Sequence, residues 1–208
     1  MHKILIYLAL LCAIAYAQTE YTIDKDAFYY ADPVDNPEGF YGDKEGKPIT
    51  GVINSYYKNG KLASTLPYKN GKKEGTLKIY WESGKLKEET VFINGLKEGG
   101  AKGYNEDGSL DYESVYKNGA LDGVTTHYHK NRKIERIEAL WKNGKYEGAT
   151  KYYCKGGATI EAVYKENLAI DAYRVDSKGV KTALEKGGMA CLTYERRCFL
   201  EDMEEFCK

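Results

Sequence analysis

The sequence predicts an all-β fold, an elongated antiparallel meander of repeated β-hairpins with a short C-terminal α-helical cap linked by disulfides. The 208 residues include 20 tyrosines and 22 glycines but only four prolines. Aromatic residues with regular glycine punctuation are typical of short strands joined by tight turns. A segment of 24 or 25 residues also recurs five times between residues 46 and 167. Repetition at this period indicates an array of small structural units.

Each repeat begins at one glycine turn and contains a second one. The segments start at residues 46, 71, 95, 119 and 144, and two stretches of about seven residues separate the turns within each. This length suits strands, and Asn-Gly or Asp-Gly supplies the positive φ of a tight hairpin turn. The predicted turn glycines are Gly60, Gly71, Gly84, Gly95, Gly108, Gly119 and Gly144.

The phrases "YYKNGKL", "YKNGKKEG" and "IYWESGKLKEE" resemble the MORN-variant repeat. That family has an aromatic pair, a turn of Asn or Ser with Gly, then Lys-Leu and a Gly-Lys-x-x-Gly spacer. The resemblance covers about residues 46–167. It implies an interaction module, because similar repeats are found in bacterial proteins labelled antitoxins, in envelope proteins, and beside enzymes or membrane-associated scaffolds.

The N-terminal segment is typical of a secretory signal peptide. Lys3 precedes an apolar stretch from residue 4 to residue 15, and small residues at Ala15 and Ala17 predict cleavage after residue 17. We therefore expect an exported protein, periplasmic, secreted or at the cell surface, with no integral membrane segment after cleavage. Residues 18–45 are expected to give an edge strand near Phe28–Tyr30 and then a loop.

The repeat pattern decays after residue 167. Residues 168–188 keep an aromatic residue and a turn signal, which indicates a degenerate sixth hairpin. Residues 189–208 place Leu192, Phe199, Met203 and Phe206 within about 60° on a helical wheel, which predicts a helix that caps the sheet.

Four cysteines remain after the signal peptide is removed: Cys154, Cys191, Cys198 and Cys207. An even number in an exported chain predicts two disulfides, for which three connectivities exist. Only Cys154 lies outside the tail. Any full pairing therefore joins the tail to repeat five.

The sequence offers no catalytic constellation and no cofactor motif. Acidic and basic residues balance, so the chain has no field that would attract nucleic acid. No glycine-rich phosphate loop with a strand-to-helix setting occurs. His127 and His129 share one face of a predicted strand and could hold a metal, but two surface histidines is the favoured interpretation.

The recurring tyrosines suggest a surface, and two interpretations stay open. Tyrosine rings could bind a partner, or they could pack together to hold a thin sheet. The predicted function is an exported, non-catalytic scaffold that binds another protein. A glycan or cell-wall binder and an exported immunity or antitoxin-like protein are the alternatives. The candidate binding residues are Tyr56, Tyr57, Tyr80, Trp81, Tyr104, Tyr128, His129 and Tyr153.

Overall fold

A computed structural model describes residues 20–22, 28–32, 36–130, 132, 134–184 and 207. Among these residues the chain forms strands joined by short turns. The strands are β1 (Glu20–Thr22), β2 (Phe28–Asp32), β3 (Asn36–Gly42), β4 (Gly51–Tyr56), β5 (Leu62–Lys69), β6 (Lys72–Lys73), β7 (Gly75–Tyr80), β8 (Leu86–Ile93), β9 (Leu96–Tyr104), β10 (Leu110–Lys117), β11 (Ala120–Leu121), β12 (Gly123–Tyr128), β13 (Ile134–Lys142), β14 (Lys145–Cys154), β15 (Thr159–Lys165), β16 (Leu168–Val175) and β17 (Lys181–Ala183).

Fifteen of these strands form one open sheet whose order follows the chain. From β4 to β17 neighbouring strands pair antiparallel, and the short strands β6 and β11 pair with β5 and β10. The predicted antiparallel meander of hairpins is therefore confirmed. Residues 168–184, within the predicted sixth hairpin, form β16 and β17 at one end of the sheet.

The two kinds of turn differ in geometry although they share the phrase Tyr-Lys-Asn-Gly. In the turn between repeats one and two, Asn70 and Gly71 are both left-handed, with φ of 51° and 75°. This is the two-residue hairpin turn that matches strand twist. Inside repeat one, the N–H of Gly60 donates to the carbonyl of Tyr57 at 2.9 Å, and Gly60 supplies the left-handed residue with φ of 81°.

An acidic side chain just after each connecting turn accepts a hydrogen bond from the backbone of the next connecting turn. In repeat three, Glu98 Oε2 accepts the backbone N–H of Asn118 at 2.7 Å. The N–H of Gly119 donates to the carbonyl of Lys97 at 2.9 Å. These bonds satisfy backbone donors that a tight turn would otherwise leave unpaired. The equivalent pairs are Glu74 with Asn94, Asp122 with Asn143, and Glu147 with Glu166.

One face of the sheet, here called the inner face, has a buried row of small side chains. Members face one another across successive strands, and each is at most 6% exposed. The flanking side chains are large and lie close, as where the Tyr112 ring crosses Gly103 so tightly that a Cβ on the glycine would overlap it. Small residues permit this approach. The row comprises Thr90, Ala101, Ser114, Thr125, Ala139, Thr150, Ala162 and Ala172.

Apolar clusters lie towards the two ends of the repeat array on this inner face. The N-terminal cluster contains Ile53, Leu66 and Tyr68. The C-terminal cluster is larger, and its most buried members include Ile134, Tyr152, Ile160 and Ala162, each 0% exposed. Terminal repeats lack a neighbour on one side, so additional apolar packing at each end stabilises an array.

The predicted N-terminal strand is present, but its pairing and the segment after it differ from the prediction. The strand near Phe28–Tyr30 exists as β2, but it pairs with β3 in a separate two-stranded sheet, where a loop was expected. The edge of the large sheet is β1, which pairs parallel to β4. A three-residue strand carries too little periodicity to be recognised in sequence.

The predicted signal peptide and nearly all of the predicted helical cap lie outside the described residues. Within residues 189–208, where the cap is predicted, the structure describes Cys207. A disulfide with an S–S distance of 2.04 Å joins it to Cys154. Both cysteines pack in the C-terminal cluster. The structure thus joins the tail to repeat five, while Cys191 and Cys198 lie outside the described residues.

Candidate interaction surface

The opposite face of the sheet, here the outer face, carries three parallel rows of side chains that cross repeats one to five. The middle row is charged and is called the charge row. Glu89 faces Lys102, which faces Glu113, and Glu138 faces Lys151, which faces Glu161. Strand register fixes this order because directly opposed residues share a face. From β7 to β15 the row reads Lys78, Glu89, Lys102, Glu113, Thr126, Glu138, Lys151 and Glu161.

Ion pairs within the charge row are partly exposed. Lys102 Nζ lies 3.1 Å from Glu113 Oε1, with side-chain exposures of 48% and 39%. The hydrogen bond to Glu113 raises the pKa of Lys102, with added attraction from the same carboxylate. Pairs this exposed contribute little to folding, so their charges stay available to a partner.

The second outer row contains the predicted tyrosines and lies on the side of the internal turns. Tyr104 donates its hydroxyl proton to Glu89 Oε1 at 3.1 Å, and Tyr153 donates to Glu138 Oε2 at 2.8 Å. Partial burial and the bond to Glu138 raise the pKa of Tyr153. The hydroxyl groups thus brace neighbouring strands. The tyrosine row comprises Tyr56, Tyr80, Tyr104, Tyr128 and Tyr153.

The third outer row is apolar and lies on the side of the connecting turns. Its central members Val115, Val124 and Leu140 are 43%, 49% and 40% exposed. Val124 directly faces Leu140, and Val115 faces Gly100. Exposed aliphatic residues arranged as a stripe, rather than scattered, are typical of an interaction site. The apolar row comprises Val52, Pro67, Thr76, Val91, Gly100, Val115, Val124, Leu140, Ala149 and Val163.

The residue that follows each tyrosine of the tyrosine row varies between repeats and was expected to form part of the binding surface. The Tyr57 hydroxyl donates to the carbonyl of Tyr80, and Trp81 Nε1 donates to the carbonyl of Tyr104 at 3.2 Å. Lys87 lies over the Trp81 ring at 4.2 Å. Tyr57 and Trp81 therefore link consecutive internal turns, which gives both side chains a structural role.

The two histidines lie together on the inner face. The rings of His127 and His129 are nearly parallel, with centroids 6.5 Å apart, and His127 lies 5.8 Å from the Tyr112 ring. Cys154, the residue at the equivalent place in repeat five, is oxidised. Within the described ranges no group of three or more His, Cys, Asp or Glu side chains could hold a metal ion.

A shallow groove lies on the outer face near the internal turns of repeats four and five. Arg136 stacks its guanidinium on the Tyr153 ring at 4.0 Å and pairs with Glu138 at 3.3 Å. The other residues that line the groove are Tyr128, Glu135, Cys154, Gly156, Gly157, Ala158 and Thr159. A guanidinium held between a ring and a carboxylate is a positioned cation.

The tyrosine row was predicted from the sequence, whereas the apolar row and the acidic residues beside the turns were not. The signal for the apolar row is present: Val115, Val124 and Leu140 each stand two residues from a charge-row position. Period-two spacing places them on the charged face, not the buried one. The acidic residues recur before the second glycine of repeats two to five, but only the structure shows their acceptor role.

These features define a repeat protein of the open-sheet class, in which each hairpin packs chiefly against its neighbours. Three consecutive segments, residues 49–70, 73–94 and 97–118, match the family model of the MORN repeat variant. The chain therefore carries MORN-variant repeats over residues 49–118, as the sequence indicated. Repeats of this kind are generally interaction modules.

No curated protein matches the chain significantly. Over the residues that the structure covers, no helix is both long enough and apolar enough to cross a membrane.

Proposed function

We propose that this protein is a non-catalytic scaffold that binds a protein partner through the outer face of its sheet. The observation that carries this proposal is the exposed centre of the apolar row at Val115, Val124 and Leu140. In a folded sheet these side chains remain in water although their burial would be favourable, by about 25 cal/mol per Å² of apolar area.

The neighbouring rows support a protein partner over a purely apolar ligand. Alternating charges beside an apolar stripe give a surface that a protein can match with opposite charges, which sets register and selects the partner. The tyrosine hydroxyls of Tyr104, Tyr128 and Tyr153 are bonded to glutamates of the preceding repeat. This bracing supports the structural interpretation of the tyrosine row over a sugar-stacking platform.

The proposal places the protein outside the cytosol, in the periplasm or at the cell surface, on the basis of the signal sequence. Protein purified from its natural compartment should begin at Gln18 when its N-terminus is sequenced. A chain that retains Met1 or residues 2–17 in that compartment would contradict export by cleavage.

Site-specific photocrosslinking in cells tests the outer face. A photoreactive residue at position 124 should trap a defined protein, identified by mass spectrometry. The matched control is position 180, because Val180 is 58% exposed and lies at the turn of the last hairpin, outside the three rows. Equal trapping at both positions, or none at position 124, would contradict the proposal. Retention on wall polysaccharide that is lost in Tyr80→Ala would instead favour a glycan ligand.

A further inference from the structure

We propose that the partner of the outer face is a second copy of this chain, packed face to face about a two-fold axis. The axis lies in the plane midway between the two sheets, above the gap between β10 and β12. It runs along the mean direction of the strands. This inference rests on the proposed function of the outer face and names its partner. The order of side chains in the charge row and in the apolar row is self-complementary about this axis.

Rotation about this axis reverses the order of the strands in the second copy. Each row of one copy then faces the same row of the other copy. Strand β10 of one copy then faces β12 of the other, β9 faces β13, β8 faces β14, and β7 faces β15. An isologous interface of this kind must be self-complementary.

The charge row meets that requirement. Reversal about this axis places Lys102 opposite Glu138, Glu89 opposite Lys151, and Lys78 opposite Glu161. The remaining pair, Glu113 with Thr126, combines a carboxylate with a hydroxyl. No like charges face each other among these eight positions. Packed sheets cross at about 30°, so the pairs nearest the axis meet most directly.

The apolar row is complementary in size at the same axis. Val115 of one copy faces Val124 of the other, and the bulkiest member, Leu140, faces Gly100. Gly100 has no neighbouring atom within 4 Å of the place where a Cβ would stand, so space is open there. The most exposed members of the row thus lie at or beside the axis. Large side chains opposite small ones allow two sheets to interdigitate.

The size of the face fits a modest, reversible dimer. Eight strands at about 4.8 Å and five residues along each at about 3.3 Å give roughly 600 Å² per copy. The total of about 1,200 Å² lies at the lower end of specific interfaces. We therefore expect a dimer that dissociates on dilution and weakens as salt rises, because its charge pairs are screened.

Sedimentation equilibrium of the mature protein, over about 1–100 µM, tests this dimer, since that range spans the affinities of modest interfaces. The wild type should form dimers and no larger species. Val124→Glu should weaken association at least about tenfold, because two carboxylates would enter the apolar centre. Val180→Glu adds the same charge outside the face and should associate as the wild type does.

A charge exchange tests the axis itself. Lys102→Glu should weaken the dimer, because the introduced carboxylate would face Glu138 of the other copy, and the two-fold axis makes this contact twice. Adding Glu138→Lys in the same chain should restore much of the association. Circular dichroism and thermal unfolding establish that each variant is folded, and a variant that fails this check is replaced by Val115→Glu, which disrupts the same centre.

The outcomes separate this inference from the proposed function. A wild type that stays monomeric throughout, or a dimer that ignores both Val124→Glu and Lys102→Glu, overturns the two-fold dimer. If position 124 nevertheless traps a different protein in cells, the scaffold function stands without self-association. If it traps nothing and no dimer forms, both fail.

Discussion

The inner and outer faces are built from alternate residues of the same strands, yet the row of small side chains on the inner face and the apolar row on the outer face differ in exposure. On the inner face Ala101 and Thr150 are 2% exposed, whereas on the outer face Val124 is 49% exposed. The less apolar row is the buried one. Small residues allow large flanking side chains to cover them, while the bulkier valines of the outer face are left for a partner. Between these two rows, the one with the smaller side chains is buried and the one with the more hydrophobic side chains is exposed.

The largest expected difference between the faces is in stability. Tyr152 is fully buried in the C-terminal cluster, and its neighbour Tyr153 stands in the tyrosine row. Tyr152→Ala should lower the free energy of unfolding by about 3–5 kcal/mol, because it leaves a large cavity. Tyr153→Ala loses one hydrogen bond and a ring contact with Arg136 and should cost about 1 kcal/mol. Urea denaturation of the two variants measures both values, and equal losses would refute the assignment of the faces.

Alkaline pH should also act through the inner face. Burial, with a smaller contribution from Tyr164, raises the pKa of Tyr152 well above its ordinary value. Above about pH 10 the unfolded chain releases this proton while the folded chain keeps it. Stability contributed by the protonated phenol is therefore complete below that pH and declines as pH rises further.

Phe has no phenolic proton, so Tyr152→Phe removes this difference in proton binding between the folded and the unfolded state. Between about pH 10 and pH 11 the wild type should lose up to about 1.4 kcal/mol more than Tyr152→Phe, which is the energy of one proton over one pH unit. Urea midpoints at several pH values give the two slopes. Identical slopes would show that Tyr152 titrates alike in both states.

Much of the fold could be predicted because repetition amplifies weak local signals. One Asn-Gly pair is ambiguous, but the pairs at 70, 94, 118 and 143 recur in register, and all take the left-handed conformation. The tyrosine row followed from the same spacing. The match of three segments to one family model confirms the repeats over residues 49–118.

The choice of buried face could not be predicted in the same way. In repeats three and four, successive residues of each strand point to alternate faces, so the pattern alone does not say which face is buried. Hydrophobicity alone would bury the face that carries Val115, Val124 and Leu140. The covering of Gly103 by Tyr112 depends on side chains of adjacent strands, so it becomes visible only in three dimensions. The parallel pairing of β1 likewise depends on a partner 32 residues away along the chain.

Val124→Thr should have the smallest effect on stability and a clear effect on association. Val124→Thr keeps the branched shape that a strand favours and places a hydroxyl where the side chain is already half in water. Its free energy of unfolding should stay within about 0.5 kcal/mol of the wild type. A hydroxyl at the apolar centre of the proposed dimer would lose water without gaining a partner, so association should weaken. Denaturation and sedimentation on the same sample separate the two effects. A variant that loses stability but associates normally would mean that Val124 belongs to the folding core. The assignment of Val124 to an exposed binding face would then be wrong.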